Sequence, residues 1–294
     1  MSYILLIAAT LLCSGKALVA KLIGSGSKSV HDVLLLNSAL FFVGAITAGI
    51  TGMGGFDALT GISAFSLGLA VVFSVFLLFT LIMQSYAMSN GPASIGSLIY
   101  SLGFLIPIFY SARFLNESVS IYQWGGIVLM IISLVLIIPP EKGRKFSVTW
   151  IIFALLAMLG SGANAVVQKI HQNSAFKNEL CVFLLYALFL ASVLALIVSI
   201  ITKTLIKEAK FTVFTNKKTI FLIIVSGLVV GLMNVVNTNL AGKLPAVIQF
   251  PVYNICSMII TALWGRLFFK EKLSGRKLFG FVLGLISVTI IGLL

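Results

Sequence analysis

The sequence predicts an all-α integral membrane protein with ten transmembrane helices, arranged as two inverted-topology five-helix repeats. Hydrophobic residues make up 60% of the 294-residue chain and charged residues only 9%, whereas a soluble domain carries about 25% charged residues. The apolar residues form ten separate runs. In addition, segment 114–133 (FLNESVSIYQWGGIVLMIIS) is identical to segment 268–287 (FFKEKLSGRKLFGFVLGLIS) at eight of twenty positions, and such self-similarity at a fixed offset indicates an internal repeat.

Each apolar run is long enough to cross a hydrocarbon core about 30 Å thick, which takes roughly 20 residues of helix. Helices are favoured over barrel strands because a helix satisfies its backbone hydrogen bonds within one segment in lipid. The first run has no basic region before it and no small-residue cleavage site, so we expect a retained span rather than a signal peptide. The predicted spans are 3–23, 33–52, 64–88, 93–114, 121–138, 148–169, 180–202, 218–241, 246–268 and 277–294.

The similarity between the two parts of the chain extends beyond the first pair of segments. SNGPASIGSLIYS (89–101) aligns with GKLPAVIQFPVYN (242–254), and GKALVAKLI (15–23) aligns with ANAVVQKIH (163–171). The first pair of segments leads into spans four and nine, and the second pair lies in spans one and six. Each part is therefore predicted to be one five-helix unit.

The boundary between the units is predicted at the Pro139–Pro140 pair, which is followed by the charged run EKGRK (141–145). It divides the chain into a first repeat, 1–140, and a second repeat, 141–294. Because five is an odd number, two copies in one chain must insert in opposite orientations. Inverted repeats are a recurring plan for secondary transporters, whose substrate site lies near mid-membrane between the repeats.

The basic residues lie mainly in the loops that follow odd-numbered spans. Cytoplasmic loops of membrane proteins are enriched in Lys and Arg, so the charge distribution predicts that both termini lie outside. The even-numbered loops hold little more than Lys177 and Lys243. The thirteen basic residues of the odd-numbered loops are Lys28, Lys142, Arg144, Lys145, Lys203, Lys207, Lys210, Lys217, Lys218, Lys270, Lys272, Arg276 and Lys277.

Composition also argues against several classes of function. The formal net charge of +13 does not indicate nucleic-acid binding, because the cations lie in short loops between apolar runs. Cys13, Cys181 and Cys256 lie in apolar segments without disulfide or metal spacing. No pairing of nucleophile with base and no metal-ligand cluster emerges, so we expect neither enzymatic activity nor a cofactor.

The doubled motif E-x-x-S-x-x-x-x-x-G after the fourth and ninth spans resembles the EamA-type branch of the drug/metabolite transporter superfamily. The resemblance covers nearly the whole chain and implies a ten-helix transporter with both termini in the cytoplasm, which conflicts with the charge distribution. Substrates in this superfamily include amino acids, sugars, nucleotide sugars, vitamins and drugs, so the resemblance does not identify one. The residues that match the family pattern are Glu117, Ser120, Gly126, Glu271, Ser274, Gly280, Pro92, Pro245, Asn164 and Lys169.

Lys16 is the candidate site residue with the strongest physical argument. It lies about seven residues, or roughly 10 Å, from the end of the first span, and helical side chains lean toward the N-terminus, which here is deeper into the membrane. An intramembrane charge is by default a functional hypothesis; the alternative is a structural lysine bound to carbonyls at helix breaks. Lys16 is the counterpart of Asn164 in the repeat, so the chain has a cation where the family pattern has an amide. Lys21 and Lys169 lie near span ends, where we expect snorkelling.

Neutral polar residues on helical faces complete the predicted substrate site. They fall on spans one, three, four, six, eight and nine, the helices that line the cavity in the family that the chain resembles. The alternative for each residue is an interhelical hydrogen bond, worth about 0.6 kcal/mol on average in membranes. The predicted substrate-binding residues are Lys16, Thr80, Gln84, Tyr100, Asn164, Asn234, Asn237, Gln249, Tyr253 and Asn254.

The sequence therefore predicts a transporter in a bacterial inner membrane that moves a small polar metabolite (anionic, zwitterionic or neutral) by alternating access. No carboxylate lies well inside a predicted span, which counts against proton-coupled export of cationic drugs. Alternatives are a multidrug or lipid-linked substrate exporter, and a non-transporting scaffold or receptor with a tightly packed cavity and a paired Lys16. The expected partners are a small-molecule substrate and the lipid bilayer, with no nucleic acid, in a monomer or homodimer.

Overall fold

The computed structural model describes residues 2–23, 30–51, 61–138, 147–206, 217–270 and 273–293, and within these ranges its regular structure is entirely helical. The predicted boundary at Pro139–Pro140 and 141–145 lies outside the described residues. The helices are α1 Ser2–Ile23, α2 Val30–Thr51, α3 Ala64–Asn90, α4 Ala93–Ser101, α5 Leu105–Phe114, α6 Ile121–Ile137, α7 Val148–Gln172, α8 Leu180–Ile206, α9 Lys217–Ala241, α10 Ala246–Phe269 and α11 Gly275–Leu293, with 3₁₀ turns at Leu102–Phe104 and Lys177–Glu179.

The predicted all-α membrane fold is confirmed. Within the described ranges, nine segments are long and apolar enough to span a membrane. The tenth, α6, is a shorter apolar helix of 17 residues, which extends about 26 Å and is at the lower limit for a spanning helix. Large apolar side chains are exposed on the outer faces, for example Phe42, Val128 and Val282, as expected of surfaces in contact with lipid.

The predicted fourth span is a broken helix, in which α4 and α5 are joined by the 3₁₀ turn. Pro107 has no N–H to donate to the carbonyl of Gly103, so the regular ladder is interrupted here. Gly103 also lies against α7, where an added Cβ would clash with Ser161 Oγ. The break and the small residue together let the backbone of this span approach α7 closely.

The helix packing repeats between the two halves of the chain. α1 packs against α9 and α10, while α7 packs against α3 and the α4–α5 span. In the same way α2 packs against α9, and α8 against α3. If each of the first five spans is exchanged for its counterpart in the second five, the α1–α9 contact becomes the α7–α3 contact. In the same way the α2–α9 contact becomes the α8–α3 contact. This pattern is what two five-helix units related by a twofold axis would give.

The doubled motif has the same backbone form in both copies. The residue before each motif glutamate has a positive φ, 54° at Asn116 and 55° at Lys270. Ser120 caps α6 in a capping box with Gln123, and Ser274 Oγ accepts from the N–H of Lys277 near the start of α11. The motif serine is therefore a helix N-cap in each half. Glu271 lies outside the described residues.

Glu117 and Trp150 lie at opposite ends of the helix bundle, which we call the Glu117 end and the Trp150 end. At the Glu117 end lie Glu117, Ser63, Glu179 and Leu244, and Ser63 Oγ donates there to Glu179 at 2.7 Å. At the opposite, Trp150 end, Trp150 Nε1 donates to the carbonyl of Ala87 at 2.8 Å. Because the spans alternate in direction, the described ends of the odd-numbered spans that the predicted basic loops follow, such as Ile137 of α6 and Phe269 of α10, belong to the Trp150 end.

Candidate functional site

A cavity of about 460 Å³ lies between α1, α3, the α4–α5 span, α7, α9 and α10. Part of its wall is apolar, formed by Phe41, Phe73, Phe104 and Phe250. The rest carries amides and hydroxyls. Nine of the ten residues predicted from the sequence line this cavity: Lys16, Thr80, Gln84 and Tyr100 from the first half, and Asn164, Asn234, Asn237, Tyr253 and Asn254 from the second.

Lys16 is the one charged residue on the described lining of the cavity. Among the described residues, no hydrogen bond or ion pair joins its ammonium group to another side chain or carbonyl. An unpaired charge away from water is unfavourable, so the ammonium group favours an anionic group in the cavity. No described carboxylate competes for that position.

Gln249 is the one predicted residue that does not line the cavity. It is fully buried behind the wall, and its Nε2 donates to the backbone carbonyl of Asn237 at 2.8 Å and to Asn237 Oδ1 at 3.1 Å. Its position on α10 therefore supports Asn237 rather than the cavity. Its spacing of four residues from Tyr253 predicts that Gln249 shares a face of α10 with that residue. In the structure Tyr253 reaches the cavity, whereas Gln249 does not.

Two further lining amides are held by backbone carbonyls. Asn234 Nδ2 donates to Val230 O at 2.9 Å, one turn back on α9. Asn254 Nδ2 donates to Ser101 O at 3.1 Å, in the broken span. Each contact uses one N–H of the amide nitrogen and leaves the second N–H and the side-chain oxygen for other partners.

Asn164 lines the cavity, but both of its polar groups contact the backbone of α3. In the orientation that satisfies both groups, its nitrogen donates to Phe73 O at 3.0 Å and its oxygen accepts from Leu77 N at 3.2 Å. Phe73 and Leu77 are one turn apart, so the amide inserts beside the helical ladder and links α7 to α3. This geometry favours a structural role for Asn164.

Three polar lining residues did not emerge from the sequence: Gln168, Ser161 and Ser257. Gln168 lies four residues after Asn164, so it shares a face of α7 with that residue. The same spacing identified Thr80 with Gln84 and could have identified Gln168. Ser257 likewise lies three residues after Asn254.

The expectation that Lys169 snorkels is wrong. Its side chain is 1% exposed and makes an ion pair with Glu117 Oε1 at 2.6 Å. The ammonium group also donates to Leu244 O at 2.8 Å, while Glu117 Oε2 accepts from the N–H of Ala246 at the start of α10, at 2.6 Å. This network lies beside the cavity at its Glu117 end, because Lys169 directly follows Gln168 of the cavity wall and is itself buried. The side chain of Lys21, its counterpart, lies outside the described part of the chain.

A second, polar pocket of about 480 Å³ lies on the outer side of this buried network. Its lining includes Gln172, Asn239, Lys177 and Lys243, so it carries both cations of the even-numbered loops. Lys243 directly precedes Leu244, whose carbonyl binds Lys169. Buried residues such as Lys169, Leu240 and Ala246 thus separate two polar spaces.

Comparison with known proteins agrees with this architecture. A solved structure described only as "Crystal structure of protein" has a TM-score of 0.79 and 15% sequence identity, and the match covers 99% of this chain and 96% of that chain. At this identity the likeness shows the fold alone. No curated protein gives a match. The model of the EamA-like transporter family matches residues 1–138 and 148–293, and the chain therefore belongs to this family of multi-pass membrane transporters of the drug/metabolite type.

Proposed function

We propose that this transporter carries a small anionic or zwitterionic metabolite across a bacterial cytoplasmic membrane by alternating access. The observation that carries the proposal is the unpaired Lys16 ammonium in a cavity whose described lining holds amides and hydroxyls but no carboxylate. A cation placed this way attracts an anionic group and repels organic cations. The cavity volume of about 460 Å³ suits a ligand of metabolite size.

Alternating access is supported by the two polar spaces on either side of a buried layer. The layer contains the Glu117–Lys169 pair, which joins the predicted first repeat to the second. In the proposed cycle the two repeats, 1–140 and 141–294, rock against each other, so that this pair opens as the Trp150 end closes. The symmetric packing of the helices supports such a movement.

The alternatives differ in what they require of the cavity. A scaffold or receptor that kept the fold would have a tightly packed centre and a paired Lys16, whereas the cavity here has a volume of about 460 Å³ and Lys16 has no described partner. A multidrug exporter for cations would favour a carboxylate on the lining. Among the described lining residues the only charge is positive, so the metabolite proposal has the stronger support.

The test is a thermal-shift screen of the purified protein against a panel of anionic, zwitterionic and cationic metabolites. A ligand at 100 times its dissociation constant stabilises the native state by about 2.7 kcal/mol, which is readily detected. Lys16→Met keeps the length of the side chain but removes its charge, and Lys217→Met removes an exposed charge outside the cavity. We expect anionic or zwitterionic compounds to stabilise the wild type and Lys217→Met but not Lys16→Met.

Ligands found in this way are then tested for counterflow in proteoliposomes. Uptake of labelled ligand that depends on Lys16 would support transport. Stabilisation only by lipophilic cations, to the same extent in wild type and Lys16→Met, would contradict the proposal. In that case Lys16 is structural, and drug export becomes the better explanation.

A further inference from the structure

The second polar pocket, which we call the outer pocket, brings together the loop cations of the Glu117 end. The connections between helices at this end are 52–63, 115–120, 173–179 and 242–245. Their sequences contain two Lys or Arg residues in all, Lys177 and Lys243, and both line the outer pocket. Like charges repel each other, so the convergence of these two cations from different connections points to a shared anionic partner.

Neither of these lysines has such a partner in the described part of the chain, where no ion pair or hydrogen bond reaches its ammonium group. The two described carboxylates of the same connections bind elsewhere. Glu117 pairs with Lys169, and Glu179 Oε2 accepts from the N–H and Oγ of Ser63 at 3.1 and 2.7 Å. The described lining of the outer pocket carries no carboxylate, so both cations are left for an anion from outside the chain.

Amides of the same lining supply further hydrogen-bond donors. The side chains of Asn178 and Asn239 have no described hydrogen bond, and each amide carries two N–H groups. Asn173 Nδ2 uses one N–H on the carbonyl of Lys169, at 2.8 Å, and keeps the second. Donors thus surround the two ammonium groups, as an oxyanion requires.

The remaining lining is polar as well. Gln172 and Ser174 present oxygens as acceptors, because their own N–H and O–H groups are used within the protein. No large apolar side chain belongs to the described lining. A lipid would need an apolar surface for its acyl chains, so the pocket suits a small anion that is dissolved in water.

One face of α7 leads from the outer pocket to the central cavity. Gln168 lines the cavity, and Gln172 lines the outer pocket. Residues four apart share a face of a helix, and four residues extend about 6 Å. Lys169 lies in the buried layer between the two spaces, where its ammonium group binds the carbonyl of Leu244, the residue after Lys243. The two spaces are therefore about one helical turn apart along α7.

We propose that the outer pocket is a second anion-binding site, in which Lys177 and Lys243 bind the carboxylate or phosphate group of a water-soluble solute. Its anion binding is independent of the function proposed above, whereas its place on the path to the central cavity rests on that proposed function. Both ammonium groups are exposed, so each contributes modestly, and we expect a dissociation constant on the order of millimolar. Such weak binding suits a docking site, which must release its ligand when the buried layer opens.

The first experiment labels the lysines of the whole purified chain with pyridoxal 5′-phosphate, in lipid-free detergent micelles. A lysine amine adds to the aldehyde of this anion, an imine forms with loss of water, and borohydride reduces the imine to a stable secondary amine. Peptide mass spectrometry then locates each label. Lys217 is the matched control, because it is exposed, has no described partner and lines neither pocket.

We expect Lys177 and Lys243 to be labelled faster than Lys217. Inorganic phosphate at about ten times its dissociation constant should lower the rates at these two lysines about tenfold, by mass action. The rate at Lys217 should not change, because sodium chloride holds the ionic strength constant and screening is therefore the same in all samples. Equal protection of Lys217, or no protection of the pair, would overturn the inference.

The second experiment tests whether the two lysines form one site. In Lys177→Gln phosphate should protect Lys243 several-fold less than in the wild type, and in Lys243→Gln the same should hold for Lys177. Lys217→Gln and Lys16→Met should leave the protection of both lysines unchanged. The thermal unfolding midpoint of each variant is measured alongside. Undiminished protection in both single variants, with unchanged midpoints, would show that the lysines act separately and would contradict a shared site.

Two further arms identify the source of the anion. Phosphatidylglycerol in the micelles should not protect the pair; protection by this lipid but not by phosphate would assign the pocket to a lipid headgroup and overturn the inference. Anionic ligands from the thermal-shift screen are then used in place of phosphate, and they should protect both lysines.

The same arms separate this inference from the proposed function. If those ligands stabilise the protein through Lys16 but leave Lys177 and Lys243 unprotected, the outer pocket is not on the transport path and the proposed function stands. If phosphate protects the pair but no anionic ligand depends on Lys16, the second anion site stands and the proposed function fails.

Discussion

At Asn164 a residue of the cavity wall makes its polar contacts with another helix rather than with the cavity. Its amide bridges Phe73 O and Leu77 N on α3. In Asn164→Leu these two groups are one turn apart and can bond to each other, so we expect a loss of about 0.6 kcal/mol in unfolding free energy, the average for a membrane hydrogen bond. In Asn164→Asp an oxygen replaces the donor opposite Phe73 O, so the loss should be larger, about 1–3 kcal/mol.

The measurement is the unfolding free energy of both variants in mixed micelles with increasing SDS. Ligand affinity is measured in parallel, with Gln168→Leu as the comparison, because Gln168 has no described partner and faces the cavity. Asn164→Leu should keep its affinity and Gln168→Leu should lose it. A greater loss of affinity in Asn164→Leu would assign Asn164 a direct ligand contact.

Lys16 and Lys169 show which properties of a single side chain can be predicted from the sequence. The position of Lys16 on the cavity wall was predicted, because its distance from the span end is set by the sequence alone. Lys169 was misassigned because snorkelling and ion pairing depend on what faces the side chain. Its partner Glu117 is 52 residues away in the chain, and only the fold brings the two together.

Among the elements, the start of α10 is held by an acidic group from the first half of the chain. Glu117 accepts from the N–H of Ala246 and pairs with Lys169 of α7, so it connects three segments. Carboxylates are favourable at a helix N-terminus because the first N–H groups have no partner within the helix. The Glu117–Lys169 pair therefore caps the start of α10 and also joins the two halves of the chain.

We expect either Lys169→Met or Glu117→Gln to lower the unfolding free energy by about 3–5 kcal/mol, since each leaves one partner of a buried pair without its counterion. The double variant should lose less than the sum, with a coupling of about 0.5–3 kcal/mol. Lys177→Met, at the same end but exposed, is the control and should change stability by less than about 0.5 kcal/mol. Strictly additive losses in the double variant would show that the pair does not contribute as a unit.

Span four shows a limit of prediction for elements. The sequence placed its bounds and Pro107 correctly, but not the 3₁₀ turn at Leu102–Phe104. Proline indicates that one backbone hydrogen bond is lost without indicating how the chain rearranges. Here the 3₁₀ turn includes Gly103, the residue that lies against α7 and whose carbonyl lacks the N–H of Pro107.

For the molecule as a whole, Cys13 offers a test of which end of the cavity is open. It lines the cavity, so a variant with Cys181→Ala and Cys256→Ala keeps one thiol at the proposed site. A membrane-impermeant anionic methanethiosulfonate should modify this thiol slowly from the Glu117 end, because buried residues close that end. Adding Lys169→Met should raise the rate from that end several-fold, since it removes the ion pair.

Labelling is measured in right-side-out and inside-out vesicles, and this also determines orientation. The charge distribution predicts that the Glu117 end faces outward. The variant that keeps only Cys13, without Lys169→Met, should therefore react faster in inside-out vesicles. The reverse result would place both termini in the cytoplasm. Equal rates from both sides, unchanged by Lys169→Met, would contradict a closed Glu117 end.

The architecture was largely accessible from the sequence, because apolar run length and a duplicated motif depend on local features. Helix packing followed the predicted repeat, since α1 and α7 contact equivalent partners. The cavity could be predicted as a set of helices, but the direction of each amide could not. That direction depends on which backbone carbonyl faces it, as at Asn254 and Ser101.

The fluorescence of Trp150 offers a way to follow conformational change in this protein. Its indole is 1% exposed and joins α7 to the carbonyl of Ala87 on α3, so one fluorophore spans the two predicted repeats. The chain has three tryptophans, and replacing Trp124 and Trp264 by phenylalanine would leave this one alone. Its emission would shift to longer wavelength whenever water reached the ring. The protein thus contains a natural optical reporter for the separation of its halves, which can be read during turnover without an attached dye.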